Sequence, residues 1–198
     1  MRPLCAGVAT VLLLASSIGL AQQTGTCMDR FHAPLQPGAT LTIHARPSGI
    51  HVVASDRNEI VVTCTLKDRD FADEIYLEFS GRQSSGKLKI HGGPSNDLEL
   101  HIEVPRETGL RIESPAGQIT IDQVQGNKEI ELDAGQIIVS GVSDAEYHSI
   151  DASVDIGHVG ASSFGVDRGG FFRSFRKDNA GGRYHLRAHL LTGEIVLN

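Results

Sequence analysis

Ala-Gly-Gln-Ile occurs twice in this chain, at Ala116 and at Ala134, and each time it opens the same run of apolar-x-apolar-x-x-Val. Ile119, Ile121 and Val124 fill the first run, and Ile137, Val139 and Val142 the second. A third copy reads from Ala152 and Ser153, slipped by one residue, with Val154, Ile156 and Val159. Ala116, Ala134 and Ala152 are thus eighteen residues apart. A fixed period near twenty, in units too small to bury their own apolar face, predicts a solenoid. Eighteen extended residues at ~3.3 Å each trace a closed path of roughly 60 Å, and stacked coils would lie ~4.8 Å apart as parallel strands. Glycine at each corner permits positive φ, and a small alanine beside it lets corners stack.

The rest of the chain reads as strand. "EIVVTCTLK" places Ile60, Val62, Cys64 and Leu66 on one face, and "LELHIEV" does the same with Leu98, Leu100, Ile102 and Val104 before Pro105. Such alternation marks half-buried strands, and 22 glycines punctuate them without a competing helical stripe. The expected fold is all-β: a parallel β-solenoid-like stack of ~18-residue rungs with a less regular N-terminal half. The alternative is a β-sandwich whose hairpin glycines coincide with the period.

The first residues are set apart. Arg2 is followed by an uncharged stretch from Leu4 to Leu20, and Gly19 and Ala21 place small residues before a cut at Gln22. Residues 1–21 therefore read as a secretory signal peptide, with an uncleaved membrane anchor as the rival. Residues 22–37 read as an N-terminal entry segment, "FHAPLQPG" at 31–38 as an entry loop, and 38–198 as a single domain. Loss of the leader takes the formal charge from −6 to −7, because Arg2 leaves with it. A mildly acidic exported chain is not a nucleic-acid binder by charge. Of three cysteines Cys5 leaves too, so Cys27 and Cys64 remain as a candidate disulfide, the alternative being two buried thiols.

The combination of "SGIHVVAS", "LHIEVP", "AGQITI", "AGQIIV" and the terminal "GGRYHLRAHLLTGEIVL" resembles the exported bacterial adhesin-like domains of unknown function, over about residues 38–198. The resemblance implies an exported, glycine-punctuated, right-handed β-solenoid-like domain without established enzymatic chemistry. It supplies no functional residues to transfer, and residues 162–182 break its rhythm.

Within that break, "FGVDRGGFFRSFRKDN" gathers Phe164, Phe171, Phe172 and Phe175, four of the seven phenylalanines, among Arg168, Arg173, Arg176 and Lys177. Aromatics beside guanidiniums suit a sugar, a protein partner or an anionic surface. Phe171, Phe172, Arg173, Phe175 and Arg176 are the candidate partner-binding residues; the opposing reading is a cap over the open end of the stack. Nine histidines lack metal spacing: His185 and His189 share a strand face about 13 Å apart, too far for one zinc without help from His148 or His158. Asp133 with Asp151, and Glu113 with Glu131, repeat at eighteen and would stack as acidic ladders. No nucleophile elbow or phosphate loop is present, and no catalytic, cofactor or metal site is expected.

The function these features predict is non-enzymatic: adhesion, scaffolding or partner binding in the envelope, toward an unidentified polymer or protein, with Gln118, Thr120, Gln136 and Ser140 as a repeated polar face. A carbohydrate-binding or carbohydrate-active solenoid and a module stacking end to end through its terminal rungs are the alternatives.

Overall fold

A computed structural model describes residues 21–46, 48–66, 74–82, 84–92 and 98–198; the expected leader, Ala21 excepted, lies outside them. The described chain is all-β. Its strands are β1 (Ala21–Thr26), β2 (Phe31–Pro34), β3 (Thr40–His44), β4 (Ser48–Ser55), β5 (Glu59–Leu66), β6 (Tyr76–Arg82) and β7 (Ser85–His91). They continue as β8 (Leu98–Pro105), β9 (Gly109–Asp122), β10 (Lys128–Val139), β11 (Tyr147–Ala161), β12 (Val166–Asp178) and β13 (Tyr184–Leu197). A single 3-10 turn, Ser162–Phe164, separates β11 from β12.

All thirteen strands belong to one sheet. The repeats do pair: β9 and β10 run parallel with Ala116 beside Ala134 and Gly117 beside Gly135. Chain order fails next, because β13 lies between β10 and β11. Gly135 neighbours Gly193, and Gly193 neighbours Gly157. The third corner is therefore Gly157 and not Ser153. The reason is steric: these glycines hold φ from +123° to +146°, and a Cβ on Gly135 would overlap the Gly117 carbonyl. A serine has no access to that position. Pairing is also mixed, since β11–β12, β6–β7, β5–β8, β1–β6 and β2–β5 are antiparallel.

Burial changes parity at each corner. In β9, Leu110 and Ile112 point inward before Gly117, and Ile119 and Ile121 after it. In β10 the inward set is Ile130 and Leu132, then Ile137 and Val139; in β13 it is Leu186, Ala188 and Leu190, then Ile195 and Leu197. Both halves of each strand thus serve one core, which requires the sheet to turn along the line of glycines. Beyond β9 the sheet forks. The first half of β9 pairs β3 and leads through β7 and β6 to β1, whereas the second half pairs β4 and leads through β8 and β5 to β2. The arms face each other: the Phe31 ring of β2 lies against Gly25 of β1, and Leu35 against Gly86 of β7. The less regular N-terminal half is two facing arms, and the regular half is the folded ladder that joins them.

The "FHAPLQPG" stretch expected to be loop carries β2, and β1 precedes it in the entry segment. Phe31, Ala33 and Leu35 are buried on one side, a three-position alternation that the flanking prolines obscured. The Cys27 and Cys64 sulfurs are bonded, with Cα atoms 5.3 Å apart, tying the segment after β1 to β5.

Candidate functional site

At each corner one side chain stands beside the glycine, just before it in the parallel strands and just after it in antiparallel β12, beyond the last inward position. Register aligns these as Ala116, Ala134, Thr192, Ile156 and Phe171, across β9, β10, β13, β11 and β12. The residues skipped by the pairing, Pro115, Asp133, Leu191, Asp155 and Phe172, form a second row along the same apex. In the first row side chains grow in size toward β12. Leu191 is 42% exposed, Ile156 49%, Phe171 68% and Phe172 80%, and together they are four of the six large exposed apolar residues among those described. Scattered exposed apolar residues are ordinary; four gathered along one apex are not.

Phe172 holds φ at +50°, a region that bulky L-residues avoid. Strain of this kind costs roughly 1–3 kcal/mol and persists where the surroundings impose it. Here it accompanies the unpaired step opposite Asp155 and leaves the ring in solvent.

β12 is the outermost strand on this side. The five residues expected to bind a partner divide into two sets. Phe175 is buried and packs on Phe164, ring centroids 5.4 Å apart. Arg176 ion-pairs with Asp151 across β11, which raises its pKa. Lys177 joins this second set, donating to Asp144 at 2.7 Å while lying 4.5 Å from the Phe164 ring centroid. These groups fasten the strand, as a cap would. Phe171, Phe172 and Arg173 are exposed; Arg173 lies beside Val154, and Arg168 beside Val159, on the core-side face of this edge strand. Arg173 Nε donates to the Gly169 carbonyl at 2.8 Å, and Arg168 Nη1 to the Ser174 carbonyl at 3.0 Å. Neither guanidinium has a carboxylate partner among the described residues.

Ile156 and Leu191 belong to this surface and were not singled out from sequence. Their signal is positional: Ile156 lies one residue before a corner glycine, where the earlier copies carry alanine, and Leu191 two before, where they carry proline and aspartate.

The other candidates disperse. Asp133 and Asp151 do not stack; β13 separates their strands, and Asp151 instead faces Arg187 and Arg176. Glu113 and Glu131 are direct neighbours, and Glu113 also contacts His44 at 3.0 Å and Arg111 at 3.1 Å. His185 accepts or donates a bond with Ser149 at 2.8 Å and His189 with Ser153 at 3.1 Å, both on a flat sheet face. His158 lies on the other side of the corner between Asp167 and Glu194, and the bond to Asp167 raises its pKa. No three His, Cys, Asp or Glu side chains converge as a metal site among the described residues. Gln118 and Gln136 are adjacent in one row that continues to Glu194, and Gln136 bonds Glu194 at 2.7 Å.

The class this geometry defines is an all-β chain in a single thirteen-stranded sheet, folded on glycine and bearing an exposed apolar apex. No protein-family model and no curated protein matches the chain. A crystal structure described as that of a putative cell adhesion protein from Clostridium sporogenes matches at a TM-score of 0.52 and 10% identity, over 90% of this chain and 99% of that one. The likeness is one of fold.

Proposed function

We propose that the protein is an exported, non-enzymatic domain of the bacterial envelope that acts by surface contact, in adhesion, scaffolding or partner binding. In this reading the β9–β10–β13–β11 ladder is a short solenoid-like body whose stiffness holds the apex in place. The observation that carries it is the cluster of Leu191 on β13, Ile156 on β11 and Phe171 and Phe172 on β12, exposed along one apex although β12 is otherwise secured by Phe175, Arg176 and Lys177. The leader-like sequence supports export, and the adhesion-protein description of the structural neighbour fits the same role.

The test is co-sedimentation of the purified protein with isolated envelope fractions, beside a Phe171→Ala, Phe172→Ala, Arg173→Ala variant. Wild type should pellet with one fraction, and a folded variant should remain in the supernatant. Equal behaviour of the two would count against the apex as the contact surface.

A further inference from the structure

The apex is convex, so its partner must conform to it. A rigid protein would need a matching groove, whereas a bilayer interface accepts aromatic and aliphatic side chains without one. At Ser174 and Gly169 the β12 carbonyls already accept bonds from Arg168 and Arg173, which disfavours pairing of a second copy at those two positions. Charge points the same way. The chain as a whole carries −6, yet β12 holds four cations against two carboxylates. Each of the two arginines uses one N–H on its own strand, and a guanidinium has five, which leaves donors for phosphate oxygens. Asp155 lies in the second apex row, between Leu191 and Phe172, and opposes them.

We propose that the apex is an interfacial membrane anchor: Phe171, Phe172, Ile156 and Leu191 enter the headgroup boundary of an anionic bilayer while Arg168 and Arg173 hold lipid phosphates. The inference rests on the apex being the contact surface and adds the identity of what it contacts.

The chain has no tryptophan, so one substitution gives a single emitter. Phe172→Trp in the full chain reports the apex, and Tyr76→Trp, at an exposed position on β6, reports a distant surface. Both are mixed with phosphatidylcholine vesicles, with and without phosphatidylglycerol, carrying brominated acyl chains. Expected is blue-shifted, bromine-quenched emission at position 172 in the anionic vesicles, with little quenching at 76. Arg168→Gln and Arg173→Gln should each weaken binding about five-fold, with Arg→Lys at either site restoring most of it, and Asp155→Asn should tighten it by a similar factor. Phe171→Trp serves as the probe if Phe172→Trp fails to fold.

Unquenched emission at the apex in anionic vesicles would overturn the proposal. So would equal quenching at 76 and 172, which means a tether elsewhere, or equal binding to neutral vesicles. If the apex is unquenched while envelope co-sedimentation still depends on Phe171 and Phe172, the apex remains a contact surface and the bilayer is refuted as its partner.

Discussion

Lys128 sits in a row of the core where its neighbours are Leu110 on β9 and Leu186 on β13, and it is 2% exposed. Its Nζ donates to the Val124 carbonyl at 2.6 Å, to the Gly126 carbonyl at 3.3 Å and to the Tyr147 hydroxyl. Burial without a directly bonded carboxylate lowers its pKa from 10.5 to about 8, with Glu146 partly opposing the shift. The folded state therefore binds fewer protons than the unfolded state wherever the pH lies between these values, so stability rises with pH there. From about pH 7 to about pH 9.5 the gain is ~2 kcal/mol. Tyr147 acts in the opposite direction: burial raises its pKa, so its contribution falls only as pH passes the ordinary tyrosine value near 10. Urea unfolding of wild type and of Lys128→Met across this window isolates the lysine, since the histidines and termini titrate alike in both. With a slope of about 2 kcal/mol/M, the difference between the two midpoints should shift by roughly 1 M in favour of wild type as the pH rises. A constant difference, or one that shrinks, would falsify the assignment of Lys128 as a buried lysine of lowered pKa.

The corner line makes a matched pair of predictions. Gly135→Ala adds a Cβ against the Gly117 carbonyl at φ +136° and should cost about 3 kcal/mol or more, whereas Gly38→Ala, at φ +81° with open space around it, should cost only ~1 kcal/mol. Thermal or urea denaturation checks both, and equal losses would show that backbone strain alone governs these positions. The Cys27–Cys64 bond closes a loop across a separation of 37 residues, for which chain entropy gives ~4 kcal/mol. The Cys27→Ser, Cys64→Ser double variant should unfold at correspondingly lower urea, and a loss below about 1 kcal/mol would mean that the unfolded chain is already constrained there.

The period was legible in the sequence because one strand of the ladder fixes the next: a glycine that must lie on its neighbour's carbonyl tolerates no substitute, and so Gly117 and Gly135 repeat with their alanines. The strand order was not, because β12 is inserted between β11 and β13, and the partners Gly157 and Gly193 are two periods apart. That doubled spacing is in the sequence, but Ala152, which matches Ala134 in identity, drew the alignment four residues early. The facing arms of the N-terminal half were hidden for a different reason. Alternation specifies a strand and its inner face, and which half of β9 a given strand joins depends on contacts far along the chain.

The apex shows how the same limit bears on function. Val154 and Ile156 alternate in a way that puts both on the inner face of a straight strand, and the sequence reading placed them there. In the structure Val154 is buried and Ile156 exposed, because the strand turns at Gly157 and the last position of the even series falls outside the core. Thr192, Ala134 and Ala116 occupy the equivalent place on their strands, where a small or polar residue suffices. Nothing in the packing of that place calls for isoleucine or phenylalanine. Their presence on the two strands nearest the free edge, beside guanidiniums without acidic partners, therefore requires a cause other than the core. Contact with something outside the chain is the cause we propose.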